Sequence, residues 1–283
     1  CRVFSYEDIN TEKRIFGYRN CQLYSDLIAK RDDFDGECCF EWRQGVKHDC
    51  SKVMELTNVE GCFINGNNED VVIERELVFP LVKSSMFKAP LISSTEKYVI
   101  VTQRKIGEDT SYIREKFPLT WDYLQKNRDF FEKRKSSIYK NAPAFAVFGI
   151  GEYSYAEYKV GISGFYKEPL FSVLCSIEGK PVMTDDTSYF MSFPSFNTAY
   201  VAMLYLNNYR VKSFLKQISF SDSKRPYTKR VLSRIDFAKL NSLISFEELK
   251  ETERLLALSS YLLKSMVFEF LALPEMQLGR SLF

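Results

Sequence analysis

Short apolar runs are concentrated in the middle of the chain, where Gly, Pro and Asp separate them at close intervals. Runs of this length bounded by turn residues predict successive β-strands. The strands predicted in this region are residues 144–148, 158–162, 170–177, 182–183 and 189–193. Three earlier strands are predicted at 40–42, 71–73 and 98–101, with a turn at 65–68. The pattern predicts a β-rich centre.

Helical spacing of apolar residues is found on both sides of this centre. A helix is predicted after Pro118, because Trp121, Leu124 and Phe131 fall on one face. A second helix is predicted over 198–217, where apolar residues recur at spacings of three and four.

The last part of the chain also has a helical pattern. A short helix is predicted at 231–235, and a longer one opens with the capping-box pair Ser245 and Glu248 and continues through leucines as far as Leu271. The predicted fold class is α+β, with a β-rich central domain, helical flanks and a C-terminal helical segment.

Charge is close to balanced over the whole chain, at +2, but it is unevenly distributed. Residues 1–80 contain 10 Lys/Arg against 16 Asp/Glu, whereas residues 210–234 contain eight Lys/Arg against the single acid Asp222. A local basic excess is typical of a surface that contacts phosphates. A solvated helix face would produce the same excess.

The cysteine pattern favours reduced thiols. There are seven cysteines, an odd number, and the chain has no secretory leader, so we expect a cytoplasmic protein. Five of them lie between Cys21 and Cys62, beside the single histidine His48. No Cys-x-x-Cys pair occurs, and the spacings match no common zinc pattern, so no metal is expected. No apolar run is long enough to span a membrane.

Motifs for catalysis are scarce in the chain. One histidine leaves little scope for a Ser-His-Asp triad, and Gly149-Ile150-Gly151 lacks the third glycine of a dinucleotide fingerprint. Asp185 and Asp186 could bind a metal ion, as in a nuclease, or could accept turn amide hydrogens. The second interpretation is favoured.

Basic and aromatic residues form three candidate binding segments. Lys224, Arg225 and Lys229 surround a Pro-containing turn at the start of the short helix, where cations and free amides can bind phosphate. The turn at 153–158 carries three tyrosines, which could stack on bases or cover the core. The Gly-containing loop at 43–48 carries Arg43, Lys47 and His48 in a position typical of base or phosphate contacts.

Seven segments in a fixed order resemble a known family. They are 80–85 (Pro-Leu-Val-Lys-Ser-Ser), 98–104 (Tyr-Val-Ile-Val-Thr-Gln-Arg), 107–110 (Gly-Glu-Asp-Thr), 118–124 (Pro-Leu-Thr-Trp-Asp-Tyr-Leu), 148–155, 179–187 and 224–229. Together they resemble the C-terminal target-recognition region of TaqI-like adenine-N6 DNA methyltransferases and related type IIG restriction–modification enzymes. The resemblance covers roughly residues 40–240.

The resemblance implies a domain division and a set of partners. Residues 1–40 would be the junction with a missing N-terminal methyltransferase domain, 41–240 the target-recognition domain and 241–283 the C-terminal helical segment. The family's N-terminal domain binds S-adenosylmethionine and holds the flipped adenine with an Asn-Pro-Pro-Tyr type motif. This chain has neither the cofactor glycine motif nor any Pro-Pro pair. No catalytic residue and no cofactor are therefore assigned to it, and double-stranded DNA is the expected partner.

The resemblance and the charge pattern together give a set of candidate DNA contacts. The residues expected to contact phosphates are Lys135, Lys140, Lys224, Arg225 and Lys229. The residues expected to reach base edges or to stack are Arg43, Lys47, Arg104, Tyr153 and Tyr155. Two alternatives remain: a protein-interaction module that uses the leucine-rich helix, and a metal-dependent nuclease built on Asp185 and Asp186.

Overall fold

The computed structural model describes residues 34–220 and 223–278, together with the backbone of four short strands before residue 25. It divides into two compact units. Unit 1 comprises residues 1–42, 162–171 and 197–283, and unit 2 comprises residues 43–161 and 172–196. The division into 1–40, 41–240 and 241–283 that the sequence suggested stays a prediction.

Strands occupy the N-terminal two thirds of the described chain. They are β1 Arg2–Phe4, β2 Glu12–Ile15, β3 Gly17–Arg19, β4 Gln22–Tyr24, β5 Arg43–Gln44, β6 Glu55–Val59, β7 Cys62–Asn65, β8 Asp70–Val71, β9 Val78–Val82, β10 Leu91–Ile92, β11 Lys97–Ile100, β12 Tyr158–Ser163, β13 Phe171–Cys175, β14 Met183–Thr184 and β15 Ser188–Phe193.

Helices are concentrated in the C-terminal part. They are α1 Ser51–Met54, α2 Ile113–Lys116, α3 Pro118–Lys126, α4 Arg128–Glu132, α5 Phe196–Asn207, α6 Tyr209–Ile218, α7 Lys229–Leu232, α8 Phe237–Leu243, α9 Phe246–Leu255, α10 Lys264–Leu271 and α11 Pro274–Leu278. Single 3-10 turns lie at Arg75–Leu77, Ser84–Met86, Ser137–Tyr139 and Glu152–Tyr155. Within the described ranges, no helix has the length and apolar character needed to cross a bilayer. The predicted α+β class and C-terminal helical segment are confirmed.

Unit 2 is built on two mixed sheets. The six-stranded sheet has the order β14-β9-β11-β6-β7-β8, in which only the β14–β9 pair is parallel. The five-stranded sheet has the order β10-β13-β12-β15-β5 and holds β10 parallel to β13. The core of unit 2 packs helix residues Ile113, Leu124 and Phe131 against the apolar face of the six-stranded sheet and against Phe145. Burial of these side chains supplies most of the driving force for this arrangement.

Unit 1 is organised around α5, which is apolar on all sides. Every residue from Thr198 to Asn207 is buried, as expected for a helix at the centre of a helical unit. Phe270 of α10 lies 5.9 Å from the ring of Tyr205 and also meets Phe237 of α8. The chain is therefore long enough to build a core in each unit.

The strand prediction at 144–148 is wrong. Phe145 has a φ of +59°, a left-handed conformation that no strand contains. Side chains, not a neighbouring strand, make the hydrogen bonds to this backbone. The Thr102 hydroxyl donates to the Phe145 carbonyl, Arg134 donates to the Ala146 carbonyl, and the Val147 amide donates to the Gln103 side chain. The segment is consequently a buried loop.

The predicted strand at 40–42 lies three residues too early, since β5 begins at Arg43 and pairs with β15. At 71–73 only Val71 belongs to a strand. The predictions at 98–101, 158–162, 170–177, 182–183 and 189–193 each coincide with an observed strand within one or two residues. The turn at 65–68 is also confirmed and connects β7 to β8.

Two predicted helices are each divided in two. Asn208 ends α5 and caps α6, because its side chain accepts a hydrogen bond from the Arg210 amide. Asn127 separates α3 from α4, and unlike Asn208 it makes no side-chain N-capping hydrogen bond. The periodicity continued across both breaks, so sequence spacing alone did not detect them.

The capping box at Ser245 is confirmed, with the Ser245 amide donating to Glu248 at 2.9 Å. The predicted continuation of that helix to Leu271 is wrong, because α9 ends at Leu255. Ala257 then has a φ of +55°, and the buried Glu253 carboxylate accepts from the Tyr261 and Leu262 amides. These bonds draw the chain into a loop before α10 begins.

Candidate nucleic-acid interface

Three segments of unit 2 meet beside strand β5. Residues 43–49 lie between 148–155 and 182–188, and we call this arrangement the three-segment junction. The Val46 amide donates to the Thr184 carbonyl at 2.7 Å, while Lys47 and Phe148 exchange two backbone hydrogen bonds of 2.8 Å. Arg43 lies in strand β5, and the loop after it, which carries Lys47, is fixed by backbone bonds on both sides.

Glycines at two positions make this close approach possible. A Cβ at Gly45 would lie 2.2 Å from the Asp185 carbonyl oxygen, and a Cβ at Gly149 would lie 2.2 Å from the Gly45 carbonyl oxygen. Gly149 also has a φ of +68°, which favours glycine. The first glycine of the fragment Gly149-Ile150-Gly151 is thus required by close packing.

The junction brings together Arg43, Lys47 and Tyr153. The Arg43 guanidinium lies over the Tyr153 ring, 4.4 Å from its centroid. Lys47 Nζ lies 3.6 Å from the Asp186 carboxylate and also pairs with Asp49. Arg43 therefore contacts the predicted stacking residue Tyr153, whereas Lys47 pairs with two carboxylates of the same junction.

Asp185 acts as an acceptor within its turn. Its carboxylate accepts hydrogen bonds from the Ser84 amide at 3.2 Å, from the Thr187 hydroxyl at 2.8 Å and from the Ser188 hydroxyl at 2.6 Å. In the part of the chain that the structure describes, no three His, Cys, Asp or Glu side chains are placed to hold a metal ion. The turn interpretation of the Asp185–Asp186 pair fits this geometry.

Tyr155 is held against the core of unit 2. Its hydroxyl donates to the Gln103 carbonyl at 3.1 Å, and its ring meets Phe79 edge to face at 5.6 Å. Arg104, which is exposed, covers the ring at 4.7 Å. Burial raises the pKa of Tyr155 to about 12. The ring packs between Phe79 and Arg104, and of the two predicted contacts Arg104 is the more accessible.

His48 belongs to a buried network that the sequence did not indicate. Its Nδ1 accepts from the Cys50 amide at 3.1 Å, and its Nε2 lies 3.5 Å from Glu55, which also accepts from Lys83 at 2.6 Å. Burial acts to raise the pKa of Glu55, but the hydrogen bonds from His48 and Lys83 hold it below its usual value. His48 therefore faces the interior, away from the side of the loop that Lys47 occupies.

Lys135 and Lys140 line a cleft of about 470 Å³ in unit 2. The cleft is formed by residues 128–145, and we call it the basic cleft. Its other cationic residues, Arg128 and Arg134, were not selected from the sequence. The run Lys133-Arg134-Lys135 was a signal for Arg134, but only the fold shows which members of that run face the cleft.

The remaining predicted contacts, Lys224, Arg225 and Lys229, lie in unit 1. Lys224 and Arg225 are 6.0 Å and 5.0 Å from the centroid of the Phe165 ring. Lys229 pairs with Glu41 at 3.4 Å, and both side chains are exposed. The helix behind this turn, α7, has only four residues, so any phosphate site here depends on the cationic side chains more than on the helix dipole.

The five cysteines with described side chains are free thiols: Cys38, Cys39, Cys50, Cys62 and Cys175. Cys1 and Cys21 lie outside the residues whose side chains are described.

The ten predicted DNA contacts are divided between the units, seven in unit 2 and three in unit 1. Their roles in DNA binding stay predictions.

Comparison with known proteins indicates a class. No family model matches the chain. The chain is nevertheless homologous to part of a type II restriction–modification methyltransferase. The relative is the type II methyltransferase M.NspV of Nostoc sp., with 38% identity over 247 residues. The alignment covers 86% of this chain and 51% of M.NspV, so the chain spans about half the length of that relative.

A solved structure gives a weaker match. It is that of MmeI, a type IIL restriction–modification enzyme determined in complex with DNA, with a TM-score of 0.40 and 12% identity. The match covers 95% of this chain and 40% of MmeI. A likeness at this score does not establish a common fold. The relation to restriction–modification methyltransferases rests on the sequence match to M.NspV.

Proposed function

We propose that this chain is the sequence-recognition part of a TaqI-like type II adenine-N6 DNA methyltransferase and that it contacts double-stranded DNA. The observation that carries the proposal is the 38% identity to M.NspV, which extends over 86% of this chain but only half of the relative. Neither a cofactor glycine motif nor a Pro-Pro pair occurs here. S-adenosylmethionine binding and methyl transfer would then belong to the other half of the whole enzyme.

The charged surfaces support a division of roles. An enzyme that modifies a base inside a duplex must extrude the base, and a separate module that grips the DNA assists this step. At the three-segment junction, Arg43 lies in strand β5, which pairs with β15, and its guanidinium packs on Tyr153, a suitable arrangement for reading a base edge. Lys224 and Arg225 of unit 1 suit contacts to phosphates, which set position without reading sequence.

Binding of a random-sequence duplex, measured by fluorescence anisotropy across a salt series, is the direct test. We expect micromolar affinity that falls steeply as salt rises, because each phosphate contact releases counterions. A target site would then be selected from a random library. Failure to bind duplex DNA at low salt would contradict the proposal for this chain.

Arg43→Ala should reduce discrimination between the selected site and random duplex DNA more than it reduces affinity for duplex DNA in general. We expect it to weaken binding to the selected site by roughly 1–3 kcal/mol while leaving random-duplex binding nearly unchanged, because a base contact is lost. Arg114→Ala removes an exposed arginine of α2 outside all the predicted contacts and serves as control. Equal losses on the selected and random duplexes would assign Arg43 to the phosphates instead.

The double variant Lys224→Ala/Arg225→Ala should behave in the opposite way. We expect uniform weakening on all sequences and a salt slope reduced by about 2, since two phosphate contacts disappear. Unchanged affinity would favour a second candidate function, a protein-interaction module. That alternative is supported by the exposure of Leu255, Leu263 and Phe268 in the C-terminal segment, at 64%, 61% and 70%.

A further inference from the structure

The basic cleft has the size of a ligand site. Residues 128–145 fold back on themselves through α4, the 3-10 turn Ser137–Tyr139 and the buried loop at Phe145. The volume of this open cleft, about 470 Å³, lies within the range of roughly 300–1,000 Å³ that small ligand sites occupy. Four cationic side chains line it, against one carboxylate, that of Glu132. This excess of positive charge favours an anionic ligand.

Arg134 is a structural member of this wall. It donates to the Ala146 carbonyl at 2.6 Å and to the Phe131 carbonyl at 3.1 Å, which joins the two ends of the segment. Its guanidinium also lies on the Tyr139 ring, 3.7 Å from the centroid. Arg134 therefore holds the cleft in shape and adds a fixed positive charge.

Lys135 and Lys140 are available for a ligand. Both are exposed, and within the described ranges neither ammonium group has a hydrogen bond or a carboxylate partner. Arg128 pairs with Glu132 at 2.8 Å, but both side chains are exposed and such a pair contributes about 0–1 kcal/mol. Arg128 can therefore exchange that partner for a ligand oxygen at little cost.

The aromatic residues of the cleft argue against a stacked base. Arg134 covers a face of Tyr139, and Phe131 and Phe145 are buried within the core, where their rings meet at 4.9 Å. Of these three rings only Tyr139 is partly exposed, and Arg134 already covers one of its faces, whereas the lysine ammonium groups suit phosphate oxygens.

We propose that the basic cleft binds a phosphodiester of the DNA backbone through Lys135 and Lys140, with Arg128 as a third contact. This inference rests on the proposed function and adds a defined phosphate site in unit 2. Because such a contact carries no sequence information, the site would set the register of the duplex for any target sequence.

The test compares two double variants that remove the same charge. Lys135→Ala/Lys140→Ala should lower duplex affinity about tenfold on every sequence and reduce the salt slope by about 2. The control is Lys116→Ala/Lys133→Ala, since both lysines are exposed and neither lines the cleft. Equal effects of the two double variants would overturn the site.

Lysine acetylation read by mass spectrometry gives an independent measurement on the unaltered chain. Duplex DNA should protect Lys135 and Lys140 while Lys116 and Lys133 stay reactive. Duplex binding without this protection would reject the cleft and leave the proposed function intact, whereas absence of duplex binding would reject both. Protection by adenosine monophosphate but not by duplex would show a free nucleotide site and overturn the backbone assignment.

Discussion

Gly149→Ala is expected to lower the free energy of unfolding by roughly 2–5 kcal/mol and to weaken DNA binding with it. An L-residue at a φ of +68° costs about 1–2 kcal/mol. The added methyl group would also lie 2.2 Å from the Gly45 carbonyl oxygen, so the 43–49 loop must move, at a further cost of about 1–3 kcal/mol. Urea unfolding and duplex anisotropy measure the two effects.

Gly179→Ala provides the matched control for that substitution. Gly179 lies in the same unit and has a similar φ of +72°, but a Cβ there would meet nothing within 4 Å. The Gly179→Ala variant should lose only the stability that the positive φ costs an L-residue, about 1–2 kcal/mol, and should retain DNA binding. If the two variants lost equal stability, the close approach at the three-segment junction would have no energetic role.

Lys159→Met is expected to raise the free energy of unfolding by roughly 2–3 kcal/mol at pH 6. Lys159 lies in β12 with 1% of its surface exposed, and its ammonium group donates to the Ala156 carbonyl at 2.6 Å. Burial lowers the pKa of Lys159 from 10.5 to about 7. At about 1.4 kcal/mol per pKa unit, this fall corresponds to a penalty of about 5 kcal/mol. The penalty exceeds the loss of about 1.5–3 kcal/mol for a hydrogen bond from a charged donor.

The stability gained by Lys159→Met should decrease as pH rises. Because the pKa of Lys159 is lower in the folded state, that state binds fewer protons between about pH 7 and 10.5. The free energy of unfolding of the wild type therefore rises with pH across this window. The stability difference between Lys159→Met and the wild type becomes smaller as a result. Chemical denaturation at pH 6 and pH 9.5 measures it, with the exposed Lys88→Met as control. A difference from the wild type that is constant with pH would contradict the buried-amine explanation.

Strand positions were predicted well where the signal is local. Residues 158–162 and 189–193 are rich in apolar and aromatic residues and are bounded by turn residues, and each forms a strand of the five-stranded sheet. The segment at 144–148 has the same composition but forms a loop. Its backbone is bonded by Thr102, Gln103 and Arg134, and no local pattern predicts partners so distant in sequence.

The candidate site was predictable only by residue type. Arg43 and Lys47 stood out because a Gly-containing loop carried them, and the fold does place them with Tyr153 at one junction. Tyr155 had the same sequence signal as Tyr153, but its ring packs against Phe79 under Arg104. Which tyrosine on a short turn faces the core depends on contacts with other strands.

The amino-acid sequence by itself determined the α+β class, the capping box at Ser245, most strands of the central region and the relation to DNA methyltransferases. These follow from nearest-neighbour preferences, side-chain periodicity and ordered local segments. The tertiary structure alone decided that Arg134 closes the basic cleft, that Gly45 and Gly149 permit three segments to meet, and that Glu253 ends the C-terminal helix pattern. The physical reason is that buried polar groups must find partners wherever the fold provides them, and that these partners lie far away along the chain.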